Sequence, residues 1–383
     1  MLVTPRTLRL SQPFMTEGRI ALHQPEVAFE EYGNPDGPVI FVAHGGISNP
    51  HAAGRYSPSD AQAGWWDGLI GQGKALDTNR FRVIAANALG SMFGSTGPLS
   101  VDPATGKSFG PQFPAITLKD MTLFFKAFLD ELNVKTLYAI AGLSMGSMIT
   151  LQMAAEFPGF VQRVIGVASA AQTPPAALAA HSFMMNMIRR DQDFRDGNYG
   201  SRPPMKALQS MNEYSRLFYT HEKGVRRVTW DTVVPTPNAQ NAREKAIQKY
   251  LQDGVEERIR QWDANSIITL LSAINTFDLG GGMPTLSEGI SRIVCPVLIM
   301  NFDTDQEFSP SWGAELVTHL NASSPGRARF EELESDWGHL GCLTETGQMS
   351  HHIGKFLQEW DTQPACDPSG HFSTSALAEK NAQ

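Results

Sequence analysis

The sequence predicts an α/β fold, a mostly parallel central sheet flanked by helices and interrupted by an inserted helical segment. Three observations carry this. Short β-branched or apolar runs alternate with helical patterns, the mark of parallel strands covered on both faces. From about Thr173 to about Arg292 the pattern turns helical and polar, with no strand-like run. Sheet-like runs then resume. In order, the strand candidates are VIFVAHGG at 39–46, RFRVIAANAL at 80–89, TLYAIAGLS at 136–144 and RVIGVASAA at 163–171, then CPVLIMNFD at 295–303 and ARFEELES at 328–335. Thr117 followed by Asp120 caps a segment whose Met121, Phe125, Phe128 and Leu132 share one face, an amphipathic helix against the sheet. A last helix is expected from about Glu345 to Trp360. The organisation read from this is a first core part at 1–174, a helical lid insertion at 175–292, a second core part at 293–362 and a loose tail at 363–383.

Composition narrows the function classes. Of 383 residues, 42% are hydrophobic and 18% charged, ample for a sizeable core. The net charge of -8 and the lack of a Lys/Arg run argue against nucleic acid or an anionic membrane as partner. The basic pairs Arg189–Arg190 and Arg226–Arg227 read as solvated helix positions. Cys295, Cys342 and Cys366 form no C-x-x-C pair and are odd in number, which disfavours disulfides and zinc and suggests a reducing compartment. No signal-peptide core or membrane span is present in the sequence pattern, so a cytoplasmic location is expected. His and carboxylate residues show no metal-ligand spacing, and no metal or cofactor is expected.

The chemistry concentrates at Gly142-Leu143-Ser144-Met145-Gly146, a G-x-S-x-G between a strand and a helix. Such a turn is too tight for side chains two residues either side of the serine, and it exposes the hydroxyl above the sheet. This is the nucleophile elbow of the α/β-hydrolase fold. A serine needs a base, and the base a carboxylate to orient it. In this fold the chain order is Ser, then Asp or Glu, then His. Asp305, in FDTDQEFSP, and His339, in SDWGHLG, supply that order on loops after successive strands, with Asp303 the competing acid. An oxyanion hole is expected from the backbone N–H groups of Met145 and of Gly46 in His44-Gly45-Gly46.

These residues carry a family likeness. Residues 64–121, GLSMGSM at 142–148, RRDQDFRDGNYG at 189–200 and FDTDQEFSP at 302–310 closely resemble the homoserine O-acetyltransferase family. The resemblance implies an α/β-hydrolase core, the triad Ser144, Asp305 and His339, a helical lid and, in many members, a homodimer built on the lid. Two departures stand out. Where the family holds its amino-acid acceptor with an arginine on the first lid helix, this chain has Met185; where the family has an aspartate after the catalytic histidine, it has Leu340. An amino acid's charged ends would lose hydration there without compensation. The expectation is therefore a serine-dependent esterase acting on a small uncharged or apolar ester, in a pocket lined by Phe183, Met184, Met185, Met187 and Leu340. The alternative is an O-acyltransferase using an acetyl-CoA-type donor and a hydroxyl acceptor, homoserine being disfavoured; whether Arg189 or Arg190, one turn on, replaces the absent arginine is left open by the sequence.

Overall fold

The computed structural model describes residues 1–236 and 238–361; the expected tail and Cys366 lie outside the described residues. Eight strands form one sheet: β1 (Arg6–Arg9), β2 (Glu26–Gly33), β3 (Val39–Ala43), β4 (Arg82–Ala86), β5 (Ala139–Leu143), β6 (Val164–Val167), β7 (Val297–Phe302) and β8 (Ala328–Leu333). Their spatial order is β1-β2-β4-β3-β5-β6-β7-β8. The pairs from β4 to β8 are parallel, whereas β1 on β2 and β2 on β4 are antiparallel. Six of these strands grow from the apolar runs in the sequence. The antiparallel edge adds two that were not anticipated, although the first half of β2 shows a half-buried alternation in which Val27 and Phe29 are buried.

The inner strands are buried along their whole length: every residue of β5, β6 and β7 is enclosed. Helix α1 (Leu118–Glu131) begins at a capping box, in which the Thr117 hydroxyl accepts from the Asp120 N–H and the Asp120 carboxylate accepts from the Thr117 N–H. Its Phe125 and Phe128 meet Phe41 of β3 and Phe29 of β2 edge-to-face, at ring centroids 5.0 and 4.9 Å apart. Helix α2 (Met145–Glu156) has almost no exposed side, which suits it to the crowded space over β3, β5 and β6.

Between β6 and β7 the chain forms seven helices: α3 (Pro175–Arg190), α4 (Met205–Tyr219), α5 (Glu222–Val228), α6 (Ala239–Gln252), α7 (Val255–Arg260), α8 (Ala264–Ile274) and α9 (Leu286–Ser291). The two stems of this excursion meet: Leu279 N–H donates to Ala171 O at 3.0 Å, and Thr173 Oγ1 donates to Ile274 O at 2.6 Å. Helix α8, capped by Asp263, is largely buried and packs against α3. After β7 come α10 (Pro310–Ser323), α11 (Gly341–Thr344) and α12 (Thr346–Asp361). No helix among the described residues is long and apolar enough to cross a membrane.

Candidate active site

Ser144 joins β5 to α2 with φ 53° and ψ -122°, a left-handed conformation unusual for a residue bearing a side chain. The neighbouring glycines explain how the chain tolerates it. A Cβ on Gly142 would lie 2.4 Å from the backbone of Gly146, and one on Gly146 would lie 2.1 Å from the Ala43 carbonyl oxygen. Only hydrogen fits at either position, so α2 comes down directly onto the end of β3. Ser144 is half-buried and its Oγ makes no hydrogen bond among the described residues.

The neighbouring loop is held from below. His44 is fully buried; its Nε2 accepts from the Ala88 N–H at 3.0 Å, so the proton sits on Nδ1, 2.6 Å from Gly45 O. Burial pushes this histidine down to about 4, and it stays neutral. That clamp fixes the turn through Gly45 and Gly46 beside the elbow. The N–H groups of Gly46 and Met145 have no accepting partner among the described residues.

Asp305 and His339 come into direct contact, His339 Nδ1 donating to Asp305 Oδ2 at 2.8 Å. Both are buried. The other oxygen of Asp305 accepts the backbone N–H groups of Glu307 and Phe308 at 2.8 and 3.0 Å, which holds the carboxylate in its orientation toward His339. The competing Asp303 is exposed and accepts from the Ser335 N–H instead. Ser144, Asp305 and His339 stand past the C-terminal ends of β5, β7 and β8, along one edge of the sheet.

Three residues that sequence reasoning did not single out organise this edge. Asn301, inside β7, donates to Ser169 O, Phe308 O and Ser309 O at 3.0–3.1 Å and so braces the loop that carries Asp305. Glu307 is only 2% exposed, and its carboxylate lies 3.3 Å from His339 Nε2 and 3.1 Å from Nε2 of His181 on α3. His181, also 2% exposed, has its Nδ1 2.8 Å from Asn275 Oδ1. Burial opposes a charged His339, but the charges of Asp305 and Glu307 outweigh it and raise the ring to about 9.

The five residues expected to form an apolar lining differ in exposure. Met184 and Met185 are buried in the main core, with the Met185 sulfur accepting from Ser272 Oγ at 3.3 Å; Met187 and Leu340 are half-buried. Phe183 is 48% exposed and packs on Tyr214 of α4. Glu307 and His181 place ionisable groups within 3.3 Å of each other or of His339, which the sequence pattern did not suggest. Arg189 borders a cavity of about 260 Å³ together with Asp196, Asn265 and Ser272, whereas Arg190 is not among its lining residues.

The chain matches the family model of the alpha/beta hydrolase fold over residues 38–346. It is 36% identical to the homoserine O-acetyltransferase of Methanocorpusculum labreanum, over 98% of this chain and 78% of that protein. It is 34% identical to the homoserine O-acetyltransferase of Moorella thermoacetica, over 94% of this chain and 97% of that protein. The crystal structure of homoserine O-acetyltransferase from Bacillus anthracis covers 93% of this chain with 98% of its own, at TM-score 0.86 and 26% identity. That of esterase E22 covers 93% of this chain with 100% of its own, at TM-score 0.85 and 28% identity. Acyl transfer and ester hydrolysis are thus both found on this architecture, and the chain is an enzyme of the homoserine O-acetyltransferase family within the α/β-hydrolase fold.

Proposed function

We propose that this enzyme hydrolyses a small, uncharged carboxylic ester through an acyl-enzyme on Ser144. The observation that carries the reading is the strained Ser144 turn standing at the same sheet edge as the buried Asp305–His339 pair. His339, oriented through Nδ1 by Asp305, accepts the Ser144 proton at Nε2 as Oγ attacks the ester carbonyl. The oxyanion that forms is received by the N–H groups of Met145 and Gly46, one such donor being worth about 3–4 kcal/mol. Collapse breaks the bond to the alcohol, which leaves with the proton from His339. Water, deprotonated by the same nitrogen, then releases the acid and restores Ser144.

Hydrolysis rather than transfer to homoserine is supported by what surrounds the site. Met185 is buried with its sulfur occupied by Ser272, and Leu340 follows His339, so neither offers a charge to an amino acid. A buried Glu307 beside His339 would repel an acceptor's carboxylate. A second reading, O-acyl transfer to another hydroxyl acceptor, is favoured by the names of the relatives and by Arg189 on a cavity beside Ser272. Turnover of p-nitrophenyl acetate and butyrate, with and without alcohols and homoserine, separates them, with Ser144→Ala as control. Turnover indifferent to acceptors supports the hydrolase; an acceptor-dependent gain of tenfold or more sinks it.

A further inference from the structure

Resting on the reading of His339 as the base, we propose that Glu307 is a positioning residue that claims His339 Nε2 in competition with Ser144 and so sets the pH at which the nucleophile becomes active. The geometry is that of a buried relay. His339 has two ring nitrogens, and Asp305 occupies Nδ1. The other, which a serine nucleophile needs, lies 3.3 Å from Glu307 Oε2, while Ser144 Oγ has no hydrogen bond among the described residues. Glu307 Oε2 is itself buried without a hydrogen-bond donor, a state that is costly for a carboxylate. Among the described residues, the side-chain donors in reach of Glu307 are the Nε2 atoms of His339 and His181. A proton on His339 Nε2 therefore relieves Glu307, and Glu307 in turn keeps the imidazolium turned toward itself.

When that proton leaves to bulk water, the ring presents a lone pair to an anionic oxygen. The contact becomes repulsive, and Nε2 is released toward Ser144. Protonated His339 is thus held and inactive; neutral His339 is free and basic.

Other titratable groups stand around the ring and around Glu307. Tyr219, at the end of α4, packs on His339 at 5.2 Å between centroids, and burial pushes its hydroxyl up well beyond its usual range. The buried thiol of Cys342 on α11 is likewise pushed up by burial and by the Asp305 and Glu307 charges. The ring of His221 caps α5, accepting from the Lys223 N–H. His181 on α3 faces the opposite oxygen of Glu307, which makes the helix that carries it part of the same device.

The test is the pH profile of kcat/KM for p-nitrophenyl acetate from pH 5 to 10, in wild type, Glu307→Gln and Glu307→Leu. The wild type should rise to a plateau with an alkaline midpoint. Both variants should move the midpoint down by one unit or more, so that at pH 7 the active fraction rises about tenfold, one unit being a factor of ten. The rate at which a phosphonate labels Ser144 should shift in parallel, and it needs only the acylation half of the cycle. If one variant fails to fold, judged by its circular dichroism, the other carries the test. Midpoints unchanged in folded variants would overturn the proposal. Turnover that survives in Ser144→Ala would instead overturn the nucleophile reading on which it rests.

Discussion

Gly146→Ala adds one methyl group where the elbow has no room for it. The new Cβ would stand 2.1 Å from the Ala43 oxygen, 2.6 Å from the Ala43 carbon and 2.8 Å from the His44 oxygen. Carbon–oxygen approach in proteins stops at roughly 3.3–3.6 Å, so the gap must open by more than about 1 Å. None of the three atoms is a side chain that can swing aside, and Ala43 is paired with Ala86 and Gly142 in the sheet. The first turn of α2 has to retreat, taking Met145 and Ser144 with it. Overpacking of this kind costs about 3 kcal/mol, which at roughly 2–4 °C per kcal/mol lowers Tm by about 6–12 °C. A shift of about 1 Å in reacting groups is worth about 100-fold in rate, so kcat/KM for p-nitrophenyl acetate should fall by at least that. The companion variant is Gly46→Ala, whose Cβ meets only the flexible Cδ1 of Ile274 at 3.0 Å and should fold with near-normal Tm. If Gly146→Ala keeps its Tm within a degree and its activity within twofold, the steric account of the elbow is wrong.

Three further outcomes follow from the same geometry. Asp305→Asn keeps the size of the side chain but misorients His339, and kcat should drop by about 10⁴ with little change in fold, measured by ester turnover and near-ultraviolet circular dichroism. Asn301→Ala leaves the carbonyls of Ser169, Phe308 and Ser309 without their shared donor, which should cost about 1–3 kcal/mol in urea denaturation and lower kcat by loosening the Asp305 loop. His44 is lowered from 6.5 to about 4 in the folded protein, so the stability it contributes is complete above pH 6.5 and is lost as pH falls toward 4. Melting temperatures across that window should fall more steeply in wild type than in His44→Gln; parallel curves would show that His44 is not the titrating group.

Legibility followed the range of the forces involved. The elbow is local: Gly142, Ser144 and Gly146 lie within five residues, and their spacing reports a steric necessity that Gly142 and Gly146 meet against each other and against Ala43. The five inner strands β3 to β7 announce themselves because burial on both faces demands unbroken apolar runs, whereas the edge strand β1 reads RTLR and has no such demand. Glu307 was invisible for the opposite reason. It sits two residues after Asp305 in a polar loop, where a glutamate ordinarily faces water, and only the packing of α3 from 126 residues upstream encloses it. Nothing in the local pattern around His181 distinguishes it from a surface position on an amphipathic helix. Asn301 is a polar residue within an apolar run, and its three acceptors become apparent only when β6 and the Asp305 loop are brought beside it.

The meeting of the two stems at Ala171–Leu279 and Thr173–Ile274 has a bearing on how such an enzyme diversifies. A chain excursion that leaves and returns at one point makes no demand on the spacing of the strands it separates. Val164 to Val167 would still lie against Val297 to Met300 whether that excursion were shortened, lengthened or exchanged with a relative's. Selection can therefore rework the helices whose Tyr219 packs on His339 while the elbow stays the same, and a chimera grafted at these two stems is the natural unit for testing whether a substrate preference moves with them.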